Sequence, residues 1–148
     1  MKFGKKKLSS GEVIMANIKI DDATNKQLDY AVAVAQGWVL KTFGDLDNTE
    51  KSLGMGTMFI WVKGKEVLYS LHLYRPTADQ AQCMSLMIES KMTSKFIDKP
   101  GFAHHEHYYC RCNGYEDRSA GIDKNLMIGA CKAFLWSKHP DGMIPIME

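Results

Sequence analysis

Residues 103–112 read Ala-His-His-Glu-His-Tyr-Tyr-Cys-Arg-Cys, so three histidines, one glutamate and two cysteines fall within ten positions. Imidazole, thiolate and carboxylate are zinc ligands, and zinc takes about four of them in tetrahedral reach. On a strand, alternate residues share a face. His104, Glu106, Tyr108, Cys110 and Cys112 would then lie on one side, and His105, His107 and Tyr109 on the other. His105 and His107 could seat one metal, but further ligands must come from elsewhere, and His72 and His139 are the only other histidines. The zincin pattern HExxH fails because residue 109 is tyrosine. The deaminase pattern H-x-E is present as His104-His105-Glu106, but its P-C-x-x-C partner is missing, since one residue separates Cys110 from Cys112. The expectation is a half-exposed strand whose imidazoles and phenols hydrogen-bond, with no bound metal. A metal-dependent hydrolase using the 104–112 His/Cys cluster (His104, His105 and His107, with His105, His107, Cys110 and Cys112 as candidate metal ligands) is the alternative this leaves open.

Residues 74–82, Tyr-Arg-Pro-Thr-Ala-Asp-Gln-Ala-Gln, gather an aromatic ring, a guanidinium, a hydroxyl, a carboxylate and amides at a strand end. Binding groups collect on such loops. Tyr74 could stack on a base or ribose, and Arg75 could pair bidentately with phosphate. Asp79 could accept from ribose hydroxyls and Gln82 could read a base edge, with Thr77 between them. The plainer reading is a capped turn, in which Thr77 or Asp79 starts a helix. A second candidate is Tyr115–Asn125, where Arg118 and Lys124 precede a helix whose first N–H groups could meet an anion. Its plainer reading is a solvated loop with Glu116 and Asp117 offsetting the cations. There is no P-loop, no GxGxxG after a strand, no GxSxG, and no acid and base at a readable spacing.

These residues need elements to hold them. Residues 20–37 read as a helix, with Leu28, Ala31, Val32 and Ala35 at helical spacing, Asp21, Asp22 or Thr24 to cap it and Gly37 to end it. Residues 44–56 read as a polar loop. Residues 57–62 and 66–74 read as a hairpin turning at Gly64, which Arg75-Pro76 ends because proline cannot donate to a ladder. Residues 77–92 fit helix or strand, and 113–121 read as loop. Residues 125–138 give the strongest helix, capped by Asp123 or Asn125, with Met127, Ala130, Cys131, Phe134 and Leu135 as its buried stripe. Trp61 and Trp136 read as core, and Trp38, just beyond Gly37, as a candidate subunit interface.

The chain has 148 residues, 45% hydrophobic and 24% charged, which suits one globular domain that buries roughly 68–70% of its unfolded surface. No apolar run approaches the ~20 residues of a membrane span, and no secretory leader is readable. A cytosolic protein with four reduced cysteines is the expectation. The net charge of +2 is uneven: residues 1–14 hold four lysines against Glu12, leaving 15 basic and 16 acidic residues in the remainder. The basic character belongs to the N-terminal arm, which argues against nucleic acid as a partner of the folded body. Codons for residues 10–15 can spell the purine-rich GGAGAGGT shortly before Met15, so residues 1–14 are expected to be a disordered arm or an upstream overrun of the true start, and 15–148 the domain.

Three segments carry a resemblance. They are Leu28-Asp29-Tyr30-Ala31-Val32-Ala33 closed by Gly37; Tyr74 to Gln82 followed by Met87-Ile88-Glu89; and Ile128-Gly129-Ala130-Cys131-Lys132-Ala133-Phe134 with Ser137-Lys138 and Ile144-Pro145. In these the chain resembles the NinX-like family of small bacteriophage proteins. The chain departs from the family pattern at Cys83-Met84-Ser85, where members carry Gly-Gly-Pro, and the stretch 93–115 lies outside the pattern. The resemblance implies a phage accessory protein working in the host bacterial cytoplasm, of a kind that binds and neutralises a host molecule.

The expected fold is α+β, with helices 22–36 and 126–138 packed on one face of an antiparallel sheet that holds the 57–74 hairpin and the 103–112 strand. The expected function is non-enzymatic and cofactor-free: an anti-defence protein, acting as a homo-oligomer, that sequesters a small nucleotide-derived signal through Tyr74, Arg75, Thr77, Asp79, Gln82, Arg118 and Lys124. The alternatives are an inhibitor docking on a host protein and the hydrolase above.

Overall fold

Two polar side chains start the two longer helices, and each does so by taking up backbone N–H groups that have no partner within the helix. In the computed structural model, which describes residues 15–41, 60–68 and 73–147, helix α1 (Asn25–Ala35) opens with a capping box. Thr24 accepts from the Gln27 backbone N–H, and the Gln27 side chain accepts from the Thr24 N–H. The longest helix, Leu126–Lys138, is capped by Asn125, whose side-chain oxygen accepts from Met127 and Ile128. Leu28, Ala31 and Val32 are fully buried on α1, and Ala130, Cys131, Phe134 and Leu135 are buried on the long helix, as the spacing predicts.

The architecture is α+β: among the described residues, three α-helices and a short 3-10 turn (Ile20–Asp22) accompany antiparallel strands. The strands are β1 (Met15–Lys19), β2 (Val39–Lys41), β3 (Ile60–Lys63), β4 (Glu66–Leu68), β5 (Met92–Ile97), β6 (His107–Cys112), β7 (Gly121–Asp123) and β8 (Met143–Met147); α2 is Gln80–Glu89 and α3 is Leu126–Lys138. The described strands form three sheets instead of one. β1 pairs with β8, β2-β3-β4 form a second sheet, and β5-β6-β7 a third. The 57–74 hairpin and the 103–112 strand therefore lie in different sheets, because β6 takes its partners from β5, of which only Met92 falls within the ambiguous 77–92 segment, and from β7.

Several expected boundaries shift. The hairpin turns at Gly64 (φ +60°) as expected, but β4 ends at Leu68 among the described residues, and Leu73 and Tyr74 belong to the turn that leads into α2. The segment 77–92 is a helix that stops at Ser90, and Met92 begins β5. The 103–112 stretch is a strand only from His107, because Glu106 takes a left-handed conformation (φ +62°) that closes a turn. The loop read over 113–121 gives up Gly121 to β7. Trp38, read as a candidate interface residue, is buried in the core against Tyr74, ring centroids 5.8 Å apart. Residues 1–14 and 44–56, with their expected arm and loop, lie outside the described residues.

Helix α3 lies across β6 and β7 on one side and meets α1 and α2 on the other. Its approach to β7 is very close: a Cβ built on Gly121 would stand 2.0 Å from the Gly129 carbonyl oxygen. Ile20, Leu28, Val32, Trp61, Leu135 and Ile144 fill the main core, and Cys83, Cys110, Ala130 and Ala133 form a satellite beneath the third sheet. No described helix is long and apolar enough to cross a membrane.

Candidate ligand-binding cleft

A cleft of about 440 Å³ opens between the first turns of α1, strand β3 and the 74–78 turn. Its lining follows from helix geometry. The apolar stripe of α1 turns Leu28 and Val32 inward, so Lys26, Asp29 and Tyr30, three and four residues apart, share the flank that faces the turn. Trp61, only 1% exposed, and Tyr74 form the floor. The Tyr30 and Trp61 rings sit 5.5 Å apart at 42°, with Trp61 buried beneath and the half-buried Tyr30 ring at the cleft.

The polar wall is built by one long-range contact. The Asp29 carboxylate accepts from the Thr77 backbone N–H at 2.9 Å and from the Thr77 hydroxyl at 3.0 Å. Thr77 is 4% exposed, so these bonds are shielded. Burial pushes the Asp29 carboxyl above its usual range, against the opposing pull of the two Thr77 bonds and the nearby Arg75 guanidinium. A carboxylate has about four lone-pair sites, and Thr77 uses two, so Asp29 retains capacity to accept from a hydroxyl or amine in the cleft. Arg75 is exposed at the rim, and its side chain has no hydrogen-bonding or ion-pair partner among the described residues.

The turn that presents Arg75 is rigidly tied. The Gln82 side chain accepts from the Arg75 N–H at 2.7 Å and donates to the Leu73 carbonyl at 2.7 Å. Asp79 caps α2 by accepting from the Gln82 N–H at 3.0 Å. The Tyr74 hydroxyl donates to the Gln36 side-chain oxygen. Of the sequence-derived site residues, Tyr74, Arg75 and Thr77 line the cleft, while Asp79 and Gln82 hold the turn that supports them. The capped-turn reading and the binding-loop reading thus divide the segment between them.

Arg118 and Lys124 are not part of this cleft. Arg118 pairs with Asp117 at 3.4 Å and lies over the Tyr115 ring. The α3 N-terminus, where Lys124 was expected to help hold an anion, already has its N–H groups of Met127 and Ile128 engaged by Asn125. The His/Cys stretch is split as well. Cys110 and Cys112 face the core, and burial pushes the Cys110 thiol up to about 12. His107 lies on the opposite face of β6, its Nδ1 2.9 Å from the His105 carbonyl oxygen, while His105 sits in the preceding turn 3.7 Å from Glu106. Among the described residues no three His, Cys, Asp or Glu side chains gather at metal distance. The opening stretch is a polar turn and strand.

Pattern reasoning missed Lys26, Asp29, Tyr30 and Trp61. Asp29 and Tyr30 stand inside the first family-like segment, and their place just off the apolar stripe of α1 is the signal that could have found them. No protein-family model matches the chain, nor does any curated protein or solved structure.

Proposed function

We propose that this protein is a non-enzymatic binding protein that captures a small nucleotide-like ligand in the cleft between α1 and the 74–78 turn. The observation that carries the reading is the Asp29–Thr77 pair. It fixes a carboxylate acceptor near the Arg75 guanidinium, in the same cleft lining as the Tyr30 ring. A flat base matches the half-buried Tyr30 ring, ribose hydroxyls match Asp29, and phosphate matches Arg75 with Lys26 at the rim. A cleft of this size is in the range of small-molecule sites.

The resemblance to NinX-like phage proteins extends the proposal: a phage accessory protein of anti-defence type, acting in the host cytoplasm as a homo-oligomer, for which the ligand is a nucleotide-derived host signal. Calorimetric titration of the full chain with mononucleotides and cyclic dinucleotides tests it. Saturable binding that Arg75→Ala weakens at least tenfold is expected. Binding of none of these compounds, or equal binding by the variant, overturns the assignment. A second reading, docking on a host protein, draws on Met84 and Ile88, which lie one turn apart on α2 and are 52% and 71% exposed.

A further inference from the structure

The third sheet has two unlike faces. Met92, Ser94 and Phe96 on β5 pair with Cys112, Cys110 and Tyr108 on β6; α2 and α3 pack on this face at Met92, Cys110 and Cys112, while Ser94 and Phe96 at its outer end are exposed. Lys95 pairs with Tyr109 and Thr93 with Arg111 on the opposite face. That outer face continues through Asp98 and Lys99 to Phe102, and together they line a groove of about 850 Å³. It shares no lining residue with the cleft beside α1.

The chemistry of this groove is specific. Lys95, Lys99 and Arg111 form no ion pair among the described residues, and Asp98 is the single carboxylate in the lining. Two of the cations stand over rings: Arg111 is 6.0 Å from the Tyr109 centroid, and Lys99 is 5.7 Å from that of Phe102. Phe102 is 49% exposed, although a phenyl ring gains by burial. The Arg111 Nε is buried and has no hydrogen-bond partner, an unmet donor at the groove.

We propose that this outer face binds a short run of single-stranded nucleic acid. Unstacked bases lie on Tyr109 and Phe102, and the phosphates meet Lys95, Lys99 and Arg111. Each ring sits beside a cation, so one nucleotide can use both. Side chains two apart on a strand are spaced by about 7 Å, which presents polar and cationic groups at regular steps along an extended backbone. A duplex keeps its bases stacked inside and offers the rings nothing flat, whereas a single strand does. The charge balance of the whole chain does not register this face, because its three cations are offset by acidic residues elsewhere.

Fluorescence anisotropy of the full chain with a labelled oligouridine of about eight nucleotides tests the proposal. Three phosphate contacts predict a loss of affinity of roughly 20-fold between about 50 and about 200 mM salt. The exposed pair Lys95→Glu with Lys99→Glu should weaken binding at least tenfold, and Phe102→Ala, also at an exposed position, by about fivefold or more. Circular dichroism should show both variants folded. Absence of binding, or unchanged binding by the double lysine variant, overturns the proposal; the second result would assign binding to the four N-terminal lysines. Displacement by polyglutamate as effective as by unlabelled oligouridine, with Phe102→Ala neutral, also overturns it and would make the groove a site for acidic polypeptide.

Discussion

Asp29 on helix α1 and Thr77 in the turn before α2, 48 residues apart in sequence, are joined by two hydrogen bonds of 2.9 and 3.0 Å. This pair closes one side of the cleft and decides how the turn is presented. Removing the acceptor leaves a buried N–H and hydroxyl unmatched, which costs about 1–3 kcal/mol each at most. Asp29→Ala should therefore lower the unfolding free energy by about 2 kcal/mol. Asp29→Asn can keep both contacts, its oxygen accepting from the N–H and its amide donating to the hydroxyl. It should hold stability near the wild type while losing ligand. Urea unfolding of the two variants checks the contrast, and equal destabilisation would contradict the geometry.

The same carboxyl sets a pH dependence. Burial raises the Asp29 pKa above its value of 3.8 in the unfolded chain. A raised carboxyl pKa favours the fold fully below 3.8, where both states are protonated, and this contribution is lost as pH rises through the folded value. Wild-type stability relative to Asp29→Asn should thus fall as pH increases from below 3.8 through the window just above it, then level off. Paired denaturation curves across that range test the sign, and a difference that grew in favour of the wild type would contradict it.

Arg75 separates binding from folding. Its guanidinium is exposed and its backbone N–H, not its side chain, anchors the turn through Gln82. Arg75→Ala should leave stability within about 0.5 kcal/mol of wild type, and lose about 1.5–3 kcal/mol of affinity for a phosphate-bearing ligand. Gln82→Ala should do the reverse in part, loosening the turn and lowering the melting temperature. Thermal melts and titrations on both variants distinguish a rim cation from a turn brace.

Two glycines test the packing of α3. A methyl group on Gly121 would meet the Gly129 carbonyl oxygen at 2.0 Å and the Ala133 nitrogen at 2.4 Å, both backbone atoms that cannot swing away. Gly121→Ala should destabilise by about 3 kcal/mol or more, or prevent folding. The same change at Gly129 meets only ordinary contacts of 3.5 Å or longer and removes a glycine from a helix interior. Gly129→Ala should be neutral or stabilising by up to about 1 kcal/mol. Chemical denaturation of the pair measures both.

Much of the helical part of the fold was legible because caps and spacing agree. Thr24 and Asn125 cap the two helices, and most of both stripes is buried as the spacing predicts; Ala35 and Met127 are only half-buried, and residues 20–22 form a 3-10 turn ahead of α1. Sheet membership was not legible, since strand pairing depends on partners remote in sequence. Met15 meets Met147 and Met92 meets Cys112, and no local signal encodes either. The segment 77–92 stayed ambiguous for a related reason: its end at Ser90 and the left-handed Lys91 (φ +50°) are visible only in the backbone. At the cleft, residue type alone identified Arg75, Tyr74 and Thr77. It could not separate Asp79 and Gln82, which brace the turn, from Asp29, which faces the cavity. That distinction is set by which helix each carboxylate caps or confronts.

The central claim is that the cleft walled by Asp29, Thr77 and Arg75 holds a small nucleotide-like molecule. Native mass spectrometry of the full-length protein, purified gently from bacterial cytosol without chelator, tests it most directly. The account predicts an oligomer carrying a nucleotide-sized adduct on each chain and no metal, with the adduct lost in Arg75→Ala. One metal ion per chain, or an adduct that Arg75→Ala retains in full, would contradict it.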